Sequence, residues 1–383
     1  MLQEKALMPA AKEKAGGADV YLGKGLVPAL GGYIAELSGG GRVLVVRDDD
    51  GEALAANVAE ALRGEGLRVT ERRAEEAGSA EENCIVVLGV GGAFAADAAK
   101  AAAAERRGEC VLFPSVPCEE GLLAGGGVKA VCLDEGVLAA SPTEARAAAC
   151  GILLASPVKR FEDLFAEKVL AERRDLRREE LRAEDTAADI ALKVIKSGVS
   201  GVRYACDVTA EMLRLIATAG GKRARRKGEY VFAAACALAA FYRAYLSSPA
   251  TDTLIPADHS SAADEIARLA GGKRGNILQA FDIFGGSGYF RINYILGEYR
   301  MDLIAELASC DLTSAERKWR RMYEDAGFWM KSAFTSADML RAMALAGELS
   351  GGLLGFAAGT GFLAAMTAGA GKSAKGERAA RSG

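Results

Sequence analysis

The spacing of apolar and polar positions changes once along the chain, near Pro142. Before it, short apolar runs alternate with stretches of helical period. Arg42-Val43-Leu44-Val45-Val46 reads as a buried strand, bounded by Gly39-Gly40-Gly41 and Asp48-Asp49-Asp50. Leu54, Val58, Ala61 and Leu62 then recur at helical spacing, and Leu67-Arg68-Val69-Thr70 resumes as strand. Cys84 to Leu88 predicts the next strand, Ala95 to Ala104 a helix, and Cys110-Val111-Leu112-Phe113 another strand. Val128 to Leu133 predicts a further strand, expected at the periphery. Strands and helices in this alternation require right-handed crossovers, which make a parallel sheet.

From Thr143 onward the pattern is almost wholly helical, rich in Ala, Leu, Glu and Arg. Breaks fall at Gly198–Gly201, Gly220-Gly221, Ser247–Pro256, Gly271–Gly275 and Gly285–Gly288, which divides this part into roughly seven or eight helices. The fold class is therefore α/β, a parallel-sheet N-terminal domain followed by an all-α C-terminal domain. The expected boundaries are a flexible segment 1–17, a parallel-sheet domain 18–142, a helical domain 143–371 and a disordered tail 372–383. No repeat of fixed period is present.

Composition narrows the partners. Forty-eight basic and fifty-one acidic residues leave a net charge of -3, so no global field recruits nucleic acid. The basic run Lys222 to Lys227 fits a solvated loop better than a phosphate patch. Eight scattered cysteines with no CxxC pair read as free thiols, which places the chain in a reducing cytoplasm. Leu349 to Gly371 carries no charge and is long enough to span a bilayer. Its frequent glycines, sparse large apolar residues and missing aromatic anchors favour a buried, closely packed helix pair instead. No membrane partner is expected.

Leu88-Gly89-Val90-Gly91-Gly92-Ala93-Phe94-Ala95-Ala96-Asp97-Ala98-Ala99-Lys100 follows a strand and opens a helix. Glycines there let a backbone approach a pyrophosphate, whose charge sits at the helix N-terminus. A tight strand–helix turn with no ligand needs the same glycines, so they alone do not separate the two readings.

The run resembles the Gly-Gly-Gly-x-x-x-Asp-x-x-Lys signature of the iron-containing alcohol dehydrogenase, glycerol dehydrogenase and glycerol-1-phosphate dehydrogenase group, related to dehydroquinate synthase. Gly91, Gly92, Asp97 and Lys100 match, with Ala93 in place of the third glycine. Collinear similarity extends over Val20 to Gly25, Val43 to Asp48, Pro114 to Cys118 and Val131 to Pro142, with Cys118 standing for a threonine after Pro117. The resemblance implies a Rossmann-like first domain, a helical second domain and NAD or NADP as cofactor. It implies that Gly91, Gly92, Ala93, Asp97, Lys100, Pro117 and Cys118 belong to the cofactor site. Asp48 would lie near the adenosine ribose, favouring NAD; as an ordinary acidic turn residue it would have no such role.

Family members also hold a divalent metal through an acidic residue and two histidines. This chain has one histidine, His259. By the resemblance Ile152 stands at the acidic ligand, His259 at one histidine, Ala263 at a substrate-side histidine and Ser287 at the other ligand. Such a set cannot hold zinc or iron tightly, so a divalent metal is doubtful, unless Asp163, Asp258 or Asp264 substitutes. His259 remains as a candidate general acid, or as a capping residue left from a lost site. The expected activity is an oxidoreductase acting on a small alcohol, polyol or polyol phosphate, with a non-catalytic nucleotide-binding homologue as the alternative. A small-molecule substrate and a homodimer go with the first.

Overall fold

A computed structural model describes residues 11–79, 84–117, 122–123, 126–172, 179–198, 202, 204–222, 226–248, 259–269, 287–325, 334–350, 352–363 and 365–366. The chain divides into two units, residues 1–153 with 179–201, and residues 154–178 with 202–383.

The first unit runs β1 (Ala11–Ala15), β2 (Ala18–Gly23), α1 (Leu26–Ser38), β3 (Arg42–Arg47), α2 (Glu52–Gly64), β4 (Arg68–Arg73), β5 (Val86–Gly91), α3 (Ala93–Arg106), β6 (Glu109–Pro114), β7 (Val128–Asp134), α4 (Glu135–Ala139) and α5 (Thr143–Leu154). The strands form one sheet in the order β1-β2-β7-β6-β5-β3-β4. Every neighbouring pair is parallel except β1 with β2. Successive residues of a strand face opposite sides, so the continuous apolar runs require both faces to be covered. Val43 and Val45 join Leu30 and Ile34 of α1 and Val58 and Leu62 of α2 in one core. Leu44 and Val46 join Ala96, Ala99, Ala102 and Ala103 of α3 in the other.

Three sequence expectations change here. The segment expected to be flexible carries β1, whose five residues pair along β2. β7 is interior, between β2 and β6, because β2 from the far N-terminus pairs along its outer side and β1 lies beyond β2 at the edge. The boundary at 142 also moves. After α6 (Ser156–Val169), the helix α7 (Ala187–Ser197) returns to the first unit and buries Ala188, Ala191, Leu192 and Ile195 against the α3 face of the sheet.

The second unit is all helical among its described residues. It contains α6, α8 (Ala205–Ala219), α9 (Lys227–Ser247), α10 (His259–Leu269), α11 (Ser287–Ser309), α12 (Leu312–Asp325), α13 (Ser336–Gly347) and α14 (Leu353–Gly359). Ten helices thus follow Pro142 among the described residues, more than the expected number. One uncounted break lies between α5 and α6, where Pro157 occupies the first turn of α6 and cannot continue a preceding helix. α9 is long and apolar enough to cross a membrane, and over half of its apolar window is buried inside the protein. In the uncharged stretch near the C-terminus, α14 buries Leu353, Leu354 and Phe356, and residues 367–371 lie outside the described ones.

A polar network sits inside this unit. Glu162 of α6 accepts the Ala205 N–H at 2.8 Å, capping α8. Lys159, 3 % exposed, pairs with Asp207 at 3.0 Å. Burial raises the Glu162 carboxyl to about 7, against the opposing pull of the Ala205 N–H.

Candidate functional site

The connections out of β3 and β5 leave in opposite directions: α2 leads outward to β4, while α3 leads toward β6 and β7. Between them lies the topological switch point of the sheet. In open α/β sheets the crevice at the carboxyl ends of such strands is where ligands bind. Two segments meet there, Asp48 to Gly51 after β3 and Gly91-Gly92 after β5.

Their meeting is centred on one side chain. The Asp48 carboxylate accepts the Gly92 N–H through Oδ1 at 3.2 Å and through Oδ2 at 3.0 Å. Oδ2 also accepts the Ala95 N–H at 3.0 Å, and Oδ1 the Gly51 N–H at 3.2 Å. Gly92 is the N-cap of α3 and its own side supplies no cap, so Asp48 provides one from 44 residues earlier. A carboxylate at a helix start also meets the positive end of the helix dipole, a gain of about 0.3 to 1 kcal/mol.

Two glycines make this approach possible. Gly91 has φ +141, outside the range open to other residues, and a Cβ there would lie 2.1 Å from Asp48 Oδ1. A Cβ on Gly51 would lie 2.2 Å from the Val90 carbonyl oxygen. Ser115 closes the third side. Its N–H donates to the Gly91 carbonyl at 3.0 Å, and its hydroxyl donates to the Asp50 carbonyl at 2.8 Å. The ends of β3, β5 and β6 are thereby tied together. A small cavity lined by Gly91, Gly92, Ala93, Pro114 and Val116 lies beside the turn.

Burial pushes the Asp48 carboxyl above the usual carboxylate range. The Ala95 and Gly92 N–H groups pull it down, Asp50 adds a further push upward, and the Gly51 N–H offsets part of that. The carboxylate is thus well bonded but incompletely compensated for its lost water.

Other expected residues fall differently. Gly91, Gly92 and Ala93 form the turn and the start of α3. Asp97, one turn further on, ion-pairs with Lys100 at 2.8 Å, and its side chain is 73 % exposed. Neither is among the partners of Asp48. Pro117 is buried just after the Ser115 turn, and Cys118 lies outside the described residues. His259 is the first residue of α10, and its side chain lies outside the described ones, as do those of Ala263 and Ser287. Asp163 lies on α6 and Asp264 on α10, while Asp258 is outside the described residues. Among the described residues no group of three or more His, Cys, Asp or Glu side chains is placed to hold a metal ion. Ile152, at the position the resemblance gives to the acidic ligand, is a buried residue of α5 with no donor atom.

Sequence reasoning did not single out Ser115 or Gly51. The Pro-Ser-Val-Pro stretch marked a turn, but the hydroxyl's partner is 65 residues away.

No protein-family model matches the chain, and no curated protein matches it. Among solved structures it is similar to an archaeal halo-thermophilic alcohol dehydrogenase from a Red Sea brine pool, at 12 % identity and a TM-score of 0.48, covering 91 % of this chain and 94 % of that one. It is also similar to the NADH-dependent butanol dehydrogenase A of Thermotoga maritima, at 14 % identity and a TM-score of 0.45, covering 88 % and 99 %. For glycerol dehydrogenase of Schizosaccharomyces pombe the values are 11 % and 0.45, covering 81 % and 92 %. The fold class follows from the strand order and helices themselves: an α/β sheet unit and an all-α unit.

Proposed function

We propose that this chain binds a nicotinamide dinucleotide at the carboxyl ends of β3 and β5 and acts as an oxidoreductase on a small alcohol, polyol or polyol phosphate. The observation that carries this reading is the Gly-rich strand–turn–helix placed at the switch point of a parallel sheet. The signature residues Gly91, Gly92, Asp97 and Lys100 support it through the resemblance. The resemblance puts Asp48 near the adenosine ribose, which favours NAD over NADP.

The reaction moves a hydride between nicotinamide and the carbon bearing the hydroxyl, and a proton between the oxygen and a protein group. His259 is the proposed proton donor and acceptor. With Ile152 where a ligand would be needed, no step is assigned to a metal. The same Ile152 supports a second reading, a nucleotide-binding homologue without catalysis.

The test is a fluorescence titration of the full chain with NADH and NADPH, with elemental analysis of the purified protein. Saturable NADH binding with no stoichiometric zinc or iron supports the first reading. Binding without turnover on a panel of alcohols, polyols and polyol phosphates supports the second. No dinucleotide binding overturns both, and stoichiometric metal overturns the assignment of Ile152.

A further inference from the structure

α11 carries two apolar rows on opposite sides. Leu296, Leu303 and Leu307 are buried, and the helix packs on α6 and α9. The other row is open. Of the four large apolar side chains that stand exposed among the described residues, two are Tyr294 at 71 % and Met301 at 72 %, seven residues apart on this helix. A Cβ on Gly297, between them, would meet nothing within 4 Å. Half-buried Ile304 and exposed Ala308 extend the row. The positions 294, 297, 301, 304 and 308 alternate steps of three and four residues, the period at which one helix lays a seam along another.

We propose that this face of α11 is an interface with a second copy of the same chain, the two helices running antiparallel. Single exposed apolar residues are ordinary on a surface, whereas Tyr and Met gathered in one row are what interface cores are made of.

Charge selects the occupant. Arg291 and Glu298 are exposed and lie two turns apart on the same flank of the seam. Among the described residues neither has a hydrogen-bond or ion-pair partner of its side chain within its own chain. In an antiparallel helix pair each flank meets its own counterpart with the direction reversed. Arg291 of one copy therefore falls beside Glu298 of the other, and the two-fold axis repeats the pair. The same register sets Tyr294 over Gly297 of the other copy, where a glycine leaves room for the ring. A parallel pairing would instead set Glu298 beside Asn293, and neither charge would meet its opposite. The face is thus complementary to itself, as a contact between identical subunits requires. A single helix pair is small beside the ~1,200 Å² of a standard interface, so the dimer is expected to dissociate in the micromolar range.

The test is sedimentation velocity of the full chain from ~1 to ~100 µM, with thermal melts to confirm that each variant folds. Every substituted side chain is exposed, so the fold should tolerate the changes. Wild type is expected to pass from monomer to dimer over that range. Tyr294→Glu and Met301→Glu are each expected to weaken the dimer at least ~10-fold. Arg291→Glu and Glu298→Arg each set like charges together and are expected to weaken it similarly, by ~10-fold. Combining both swaps in one chain should restore it, and an equimolar mixture of the two single variants should associate more tightly than either alone. A wild type that stays monomeric throughout overturns the proposal. So does a dimer that Tyr294→Glu and Met301→Glu leave intact, which would place the contact on another surface. Single charge variants as tight as wild type, or a double swap no tighter than the singles, overturn the antiparallel pairing.

Discussion

The Tyr242 hydroxyl donates to the Glu162 carboxylate at 3.0 Å, deep inside the helical unit, where Glu162 is 5 % exposed. Burial raises the Glu162 carboxyl from 4.5 to about 7, with a smaller push from Asp207, while the Ala205 N–H, Tyr242 and Lys159 oppose it. A folded-state value above the unfolded one means that folding favours the protonated form. Its stabilising contribution is complete below pH 4.5 and is lost as pH rises through 7. Urea unfolding across pH 5 to 8 is expected to show a loss of about 2 to 3 kcal/mol. Glu162→Gln, whose amide oxygen can accept from the Ala205 N–H while its NH2 donates to the Tyr242 oxygen, is expected to flatten that slope. An unchanged slope would assign the titration to another group.

Gly91→Ala is expected to unseat Asp48. The backbone at φ +141 disfavours alanine, and the new methyl would occupy the carboxylate's place. A loss of about 3 kcal/mol or more in urea unfolding is expected. A near-neutral variant would mean that the turn adopts another geometry.

Asp134→Ala removes the acceptor of the Leu26, Gly136 and Val137 N–H groups, at the starts of α1 and α4. Because Asp134 is 3 % exposed, water does not readily replace it. The expected cost is about 2 to 4 kcal/mol, read from the urea midpoint at constant m value.

Burial pushes the Cys110 and Cys132 thiols up to about 12. At pH 8 both should resist iodoacetamide in the native protein and react once denatured, as seen by peptide mass mapping. Rapid native labelling of either would show that its strand opens locally.

Much of the sheet was legible because parallel strands covered on both faces need unbroken apolar runs, and Val43–Val46 and Cys110–Phe113 supply them. β1 was not: Lys12, Glu13 and Lys14 carry no apolar signal, and the strand exists because β2 offers an edge. Neither could the interior place of β7 be read, since strand order depends on pairings such as Tyr21 with Cys132. The candidate site divides in the same way. Gly91 and Gly92 announced a turn, and Asp48 stood visibly at a strand end. Their contact depends on β3 and β5 being neighbours, a fact of topology with no local trace. The burial of Glu162 has no local trace either, since it depends on Ala205 of α8 and Tyr242 of α9 meeting its carboxylate.

The return of α7 to the sheet has a consequence for synthesis. The chain leaves the first unit at residue 153, contributes α6 to the second, and comes back at 179 to complete the first. A ribosome that has released residue 153 has therefore not released the whole of the first unit. Until α7 emerges, the sheet face that later receives Leu192 and Ile195 stays open to water or to a chaperone. No single proteolytic cut yields both units intact, and a fragment ending at Leu153 should be prone to aggregate rather than fold as a separable half.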